Sequence, residues 1–282
     1  MRFGDSPESD NFEDRTGQSG GGGMNLGGGL GLILSLVASR FGIVGIVILL
    51  LGYCVLTQFT GGGGMLGGGG STESGPSKLD PATGKFIRQV LGSTEQVWGQ
   101  VFQQAGAKYT PTRLVAYTDY NQSGCGAAQA AMGPFYCPTD KQIYIDPAFF
   151  NELSRRFGAP GDFAQAYVIA HEVGHHIQDL EGTLDKAQAA QARTSATGGN
   201  AIQVGVELQA DCYAGVWAAR SGALEQGDIE EGMRAAEAIG DDMLTKGQVS
   251  PDNFTHGTSA QRMEALRRGL SSGNPSSCNH SR

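Results

Sequence analysis

The hydrophobic and polar positions divide the chain into an amino-terminal third and a remainder that are patterned quite differently. From Leu30 the sequence turns apolar, and Phe41 to Phe59 gives 19 residues without a charge, close to the roughly 20 that a helix needs to cross a bilayer. Apolar residues occur all round that helix, and glycine-rich runs rather than amphipathic partners bracket it. The pattern predicts a single transmembrane anchor over residues 30–60, with its core at 41–59. Residues 1–29 are polar and acidic and include Gly20 to Gly23, a composition expected of a disordered tail. Residues 61–77 are Gly/Ser-rich and read as a flexible linker.

From residue 78 the periods change to those of a folded domain. Apolar positions Phe86, Ile87, Val90, Val97, Trp98, Val101 and Phe102 predict a helix from Asp80 to Gly106. Short strands are expected at Arg113 to Thr118 and Gln142 to Asp146, the second either as an ordinary sheet strand or as an edge strand able to pair with an extended peptide. Asp146-Pro147 opens a helix to about Phe157, and Asp162 caps another that runs to Leu180. A polar, exposed helix over Asp185 to Arg193 comes next, then a helix from Ala201 to Arg220 and one beginning near Ser259. The domain over 78–282 is thus expected to be mainly α with a small β-sheet, an α+β arrangement preceded by one membrane span.

Charge and cysteines add a compartment. Arg2, Arg15 and Arg40 precede the span, and Lys78 is the first cation after it, so the positive-inside rule places the amino terminus in the cytoplasm and the domain outside. Apart from Cys54 in the span, the cysteines are Cys125, Cys137, Cys212 and Cys278. An even number suits two disulfides in an oxidising compartment. Of three pairings the favoured one joins Cys125 to Cys137 across a short loop and Cys212 to Cys278, pinning the tail to a helix. A net charge of -8 without a basic stripe argues against nucleic acid as a partner.

The candidate chemistry lies in His171-Glu172-Val173-Gly174-His175. On a helix, residues four apart leave the same face, so both imidazoles can converge on one ion, with Glu172 beside it as a base toward water. Gly174 inside that helix costs about 1 kcal/mol relative to Ala and implies a close approach to its backbone. Two histidines leave Zn²⁺ one ligand short of a catalytic set. Glu207 is the candidate third ligand, and Asp211, one turn on, is placed to accept the spare ring N–H of a ligating histidine. His176 points about 100° away from His175 and is expected to be a satisfied polar residue. His256 and Arg262 are candidate donors to a developing oxyanion, with pairing to Asp211 the alternative for Arg262.

The His-Glu-x-x-His stretch followed by Glu207-x-x-x-Asp211 resembles the gluzincin class of zinc metallopeptidases. More closely, the anchor, Asn11 to Arg15, Ala210 to Trp217 and Phe254 to Arg262 are similar to the bacterial putative neutral zinc metallopeptidase family, over nearly the whole chain outside the glycine linkers. The long glycine tracts depart from that pattern. Residues and resemblance together lead to the expectation of a membrane-anchored zinc endopeptidase, with one Zn²⁺ per chain held by His171, His175 and Glu207, acting on peptides or proteins near the membrane. The alternative is an inactive extracytoplasmic interaction module in which zinc is structural and a fourth ligand, His176 or His256, closes the site. The sequence leaves oligomeric state and cleavage specificity open.

Overall fold

The computed structural model describes residues 1–4, 6–18 and 75–279. The expected anchor at 30–60 and residues 61–74 of the expected linker lie outside these. Among the described residues no helix is long and apolar enough to cross a membrane.

The fold is mainly helical with two small sheets. Strand β1 (Phe12–Asp14) precedes helix α1 (Pro81–Gln104), strands β2 (Arg113–Ala116), β3 (Tyr120–Ser123), β4 (Gly126–Gln129), β5 (Phe135–Cys137) and β6 (Gln142–Ile145) come after it, and helices α2 (Ala148–Arg155), α3 (Asp162–Leu180), α4 (Thr183–Gln191), α5 (Ala196–Ser221), α6 (Asp228–Ala238), α7 (Asp241–Leu244) and α8 (Ser259–Ser272) complete the chain. The main sheet has the order β1-β2-β6-β5, with β1, β2 and β6 parallel and β5 antiparallel to β6. Strands β3 and β4 form a separate hairpin.

Local chemistry explains the ends of the helices. Asp80 accepts a hydrogen bond from the Thr83 N–H and Pro81 takes the first position of α1, where its missing donor costs nothing. Thr258 and Gln261 form a capping box at the start of α8. Asp162 does not cap α3 as expected. Gly161, at φ 124°, precedes the helix, and the Asp162 carboxylate instead receives the Met1 amino group at 2.6 Å. Helices α3 and α5 are buried on nearly all sides from Phe163 to Gln178 and from Val206 to Ala218, which is how the central helices of a domain look. The core around them includes Trp98, Phe163, Tyr167, Tyr213 and Trp217, with Trp98 edge-on to Tyr213 at 5.3 Å.

Two expectations are corrected. Of the two readings of Gln142–Ile145 the ordinary sheet strand holds and the edge strand does not: β6 lies between β2 and β5, so both its flanks are already hydrogen-bonded, and β5 takes the edge. Nor is the amino-terminal segment a disordered tail over its first 18 residues. Phe3 is buried, β1 pairs with β2 through Phe12 and Leu114, and the Ser9 hydroxyl and Asn11 amide both donate to Glu95 Oε1. Composition misled because the domain supplies partners for its acids: Glu8 pairs with Arg88 at 2.5 Å and Glu13 with Arg113, besides its own neighbour Arg15. Residues Met1–Gln18 and the chain from Ser74 onward form one compact unit.

Both expected disulfides are present, Cys125 to Cys137 and Cys212 to Cys278. The second ties the carboxyl-terminal end to the middle of α5.

Candidate metal centre

Helices α3 and α5 cross at Gly174. A Cβ there would meet the Ala210 carbonyl oxygen at 2.9 Å and its Cα at 3.0 Å, so only glycine lets the two backbones come this close. The close crossing carries Glu207, one turn before Asp211 on α5, to the histidine face of α3. Glu207 Oε2 lies 3.2 Å from His171 Nε2 and 3.6 Å from His175 Nε2. The ligand atoms of these three side chains lie within 4.8 Å of one another.

The outer hydrogen bonds fix which ring nitrogens face inward. His171 Nδ1 is 2.7 Å from Asp211 Oδ1, and a carboxylate only accepts, so Nδ1 carries the proton. His175 Nδ1 is 2.9 Å from Gln178 Oε1. The Gln178 amide nitrogen donates to Val206 O at 2.7 Å and Gln209 Oε1 at 2.8 Å, so its oxygen must be the atom turned to His175, and Nδ1 again donates. Both rings therefore turn Nε2 toward Glu207, and loss of the Nε2 proton would leave the form in which imidazole binds a metal. Glu207 Oε1 accepts from the Gln203 amide at 2.9 Å, which orients the carboxylate. Two imidazole nitrogens and one carboxylate converging in a buried site are the donor set that zinc takes once the nitrogens are deprotonated.

The electrostatics agree. Burial lowers the His171 pKa, but the Asp211 charge and hydrogen bonds to Asp211 and Glu207 outweigh it and bring it to about 10. Burial pushes the Glu207 carboxyl up, and the facing histidines more than reverse this, holding it well below the usual carboxylate range. A proton is thus strongly held where a cation would sit.

Asp211 is fully buried and organises the outer layer. Besides His171 it accepts from the Tyr167 hydroxyl at 2.6 Å and from Arg262 Nε and Nη2, each at 2.9 Å. Arg262 is 2% exposed; its guanidinium is committed to Asp211 and the Ile239 carbonyl, which places it behind His171 rather than where an oxyanion would form. Glu172 is 6% exposed and adjoins His171 on the helix. His256 precedes Gly257, whose position packs against Val204 and Leu208 of α5, on the turn that carries Glu207. Its Nδ1 is 3.1 Å from Asp241 Oδ1, and the side chain is 48% exposed. Burial lowers the His256 pKa, but the Asp241 hydrogen bond and the Glu207 and Asp241 charges raise it overall. His176 stands apart: Nδ1 is 3.1 Å from the Tyr136 hydroxyl and Nε2 2.7 Å from the Thr110 carbonyl, so neither nitrogen is available to close the metal site.

Sequence reasoning missed Tyr167, Gln178, Gln203 and Asp241. The first three sit one helical turn from His171, His175 and Glu207, so spacing alone could have found them. Asp241 has no local signal, because only the fold brings α7 against the His256 loop.

A family model described as putative neutral zinc metallopeptidase matches residues 1–281. The chain belongs to the putative neutral zinc metallopeptidase family. Within the curated proteins it is 44% identical over 288 residues, 99% of this chain and 98% of the relative, to the uncharacterized protein YpfJ of Escherichia coli (strain K12). It is 36% identical over 211 residues, 69% of this chain and 70% of the relative, to the uncharacterized protein Rv2575 of Mycobacterium tuberculosis (strain ATCC 25618 / H37Rv). No solved structure matches. The neutral zinc metallopeptidase match starts at residue 1, consistent with an amino-terminal segment that belongs to the folded unit.

Proposed function

We propose that this chain is a zinc-dependent endopeptidase acting on peptides or unfolded segments of proteins. The observation that carries the reading is the donor set: among the described residues His171, His175 and Glu207 form a group of three ligand atoms all within 4.8 Å of one another, which no fourth His, Cys, Asp or Glu joins, next to the buried side chain of Glu172. Three protein ligands are the catalytic pattern, whereas structural zinc sites are closed by four. Bound there, zinc supplies a Lewis acid that acidifies water and polarises the scissile carbonyl. Glu172 takes the proton released from the attacking water and delivers it to the leaving amine. Asp211, held by Arg262 and Tyr167, keeps His171 in its binding tautomer. His256, with Nδ1 turned to Asp241 and half of its side chain exposed, offers Nε2 as the donor to the developing oxyanion. The charge-free run from Phe41 to Phe59 attaches the protein to a membrane, and the two disulfides support an extracytoplasmic site of action.

The test compares the full chain with Glu172→Gln for zinc content and for hydrolysis of an unfolded protein. Both should bind one zinc, and only the wild type should cleave, with a loss of at least about 100-fold in the variant. One zinc in each with equal cleavage would remove Glu172 from the mechanism. Zinc without cleavage in either would favour a structural metal, and no zinc would end the reading.

A further inference from the structure

The expectation of one membrane crossing conflicts with the way the amino terminus is built into the fold. In β1, Phe12, Glu13 and Asp14 pair in parallel register with Leu114, Val115 and Ala116 of β2. On either side of that strand the Leu114 N–H donates to Asn11 O at 2.8 Å and the Arg15 N–H to Ala116 O at 2.7 Å. Upstream, the Ser9 N–H donates to Arg88 O at 3.0 Å, Arg88 lies 5.4 Å over the Phe12 ring, and Phe3 is buried in the main core. The two ends of the intervening chain also meet: the Gly75 N–H donates to Gly17 O at 2.9 Å, and the Lys78 N–H to Thr16 Oγ1 at 3.0 Å. A single crossing between residues 18 and 75 would put β1 and β2 on opposite faces of the bilayer and break every one of these contacts.

We propose that residues 1–18 and the domain from residue 75 onward occupy the same face of a membrane. The chain between them then makes an even number of complete crossings, zero included. The apolar stretch from Leu30 to Thr60 falls short of the roughly 40 residues that two helical crossings need, and Arg40 interrupts it. That arrangement keeps the candidate metal centre on the face that also holds the amino terminus. The proposal does not depend on peptidase activity.

The test uses the full chain in native membranes, with Cys54→Ser to remove the one cysteine that is not in a disulfide. A single cysteine is introduced at exposed Asp10 or at exposed Ser271 (D10C or S271C), and each variant is treated with a membrane-impermeant maleimide in right-side-out and in inside-out vesicles. Detergent establishes that each site labels when fully accessible. Both variants should label in one vesicle orientation and both should lose labelling in the other. Labelling of the two in opposite orientations, or recovery of the chain in the soluble fraction after lysis, would overturn the proposal. Zinc content is unaffected by either outcome, so failure here is distinct from failure of the metal reading.

Discussion

Arg262 grips Asp211 with two hydrogen bonds, Nε to Oδ2 and Nη2 to Oδ1, each 2.9 Å, while the same Oδ1 receives His171 Nδ1 at 2.7 Å. A cation from α8 thereby fixes a carboxylate on α5, which fixes the His171 imidazole on α3. The approach of α8 to α5 depends on facing glycines: a Cβ on Gly215 would run into the Leu266 carbonyl, and one on Gly269 into that of Cys212.

Breaking this pair should be costly because it strands a charge in the core. Asp211→Asn and Arg262→Met should each lose about 3–5 kcal/mol, read by urea unfolding of the zinc-free protein. Asp211→Asn should also weaken zinc binding by about 10–100-fold, read by competition with a chelator. Unchanged zinc affinity in Asp211→Asn would show that the carboxylate does not set the His171 tautomer.

Gly174→Ala opposes two effects of known size. Helix propensity favours alanine by about 1 kcal/mol, while forcing a methyl group against the Ala210 backbone costs about 1–3 kcal/mol. The crossing should win, giving a net loss of stability and a drop in zinc affinity as Glu207 moves away from the histidines. A more stable, fully zinc-loaded variant would show that α3 and α5 have slack at their crossing.

Because Gly17 and Gly75 are hydrogen-bonded neighbours, replacing residues 19–74 by a two-residue linker should leave unfolding stability and zinc content unchanged. Deleting residues 1–74 outright should cost about 3 kcal/mol or more, from the burial of Phe3 and the loss of the β1 ladder. Equal stability of the two forms, by thermal denaturation, would make β1 dispensable.

The Asp241–His256 pair sets a pH window. Burial raises the Asp241 carboxyl, but hydrogen bonds from the His256 ring and backbone hold it below its usual 3.8. Its contribution is therefore complete above 3.8 and is lost as pH falls through the lower folded value. His256 is raised above 6.5, so its contribution is complete below 6.5 and fades as pH climbs through its folded value. Asp241→Asn should flatten both limbs of the stability–pH curve and bring the His256 titration, followed by NMR in the zinc-free protein, toward 6.5. An unmoved His256 would mean that Asp241 is not its partner in solution.

The gathering of His171, His175 and Glu207 could be read from the sequence because helical spacing is a local property. His171 and His175 share a face by being four apart, and Glu207 and Asp211 do the same on the next long helix. Gly174 announced a close neighbour without naming it. The helix starts at Asp80 and Ser259 and the Cys125–Cys137 pairing rest on equally short-range rules, and that pairing leaves Cys212 and Cys278 to each other.

What only the tertiary structure decided depends on partners far away in the chain. Arg262 could pair with a substrate oxyanion or with Asp211, and the crossing of α8 over α5 chose the second. Strand β6 could be an edge or an interior strand until β5 and β2 took its two sides. Asp241 became the partner of His256 only when α7 folded against that loop. Residues 1–18 carry too few apolar side chains to order themselves, yet an open sheet edge and matching charges on α1 supply the missing interactions. Local pattern thus determined the two site helices and the donors but not α6 or α7, and long-range contact determined which groups face them and that the amino terminus belongs to the domain.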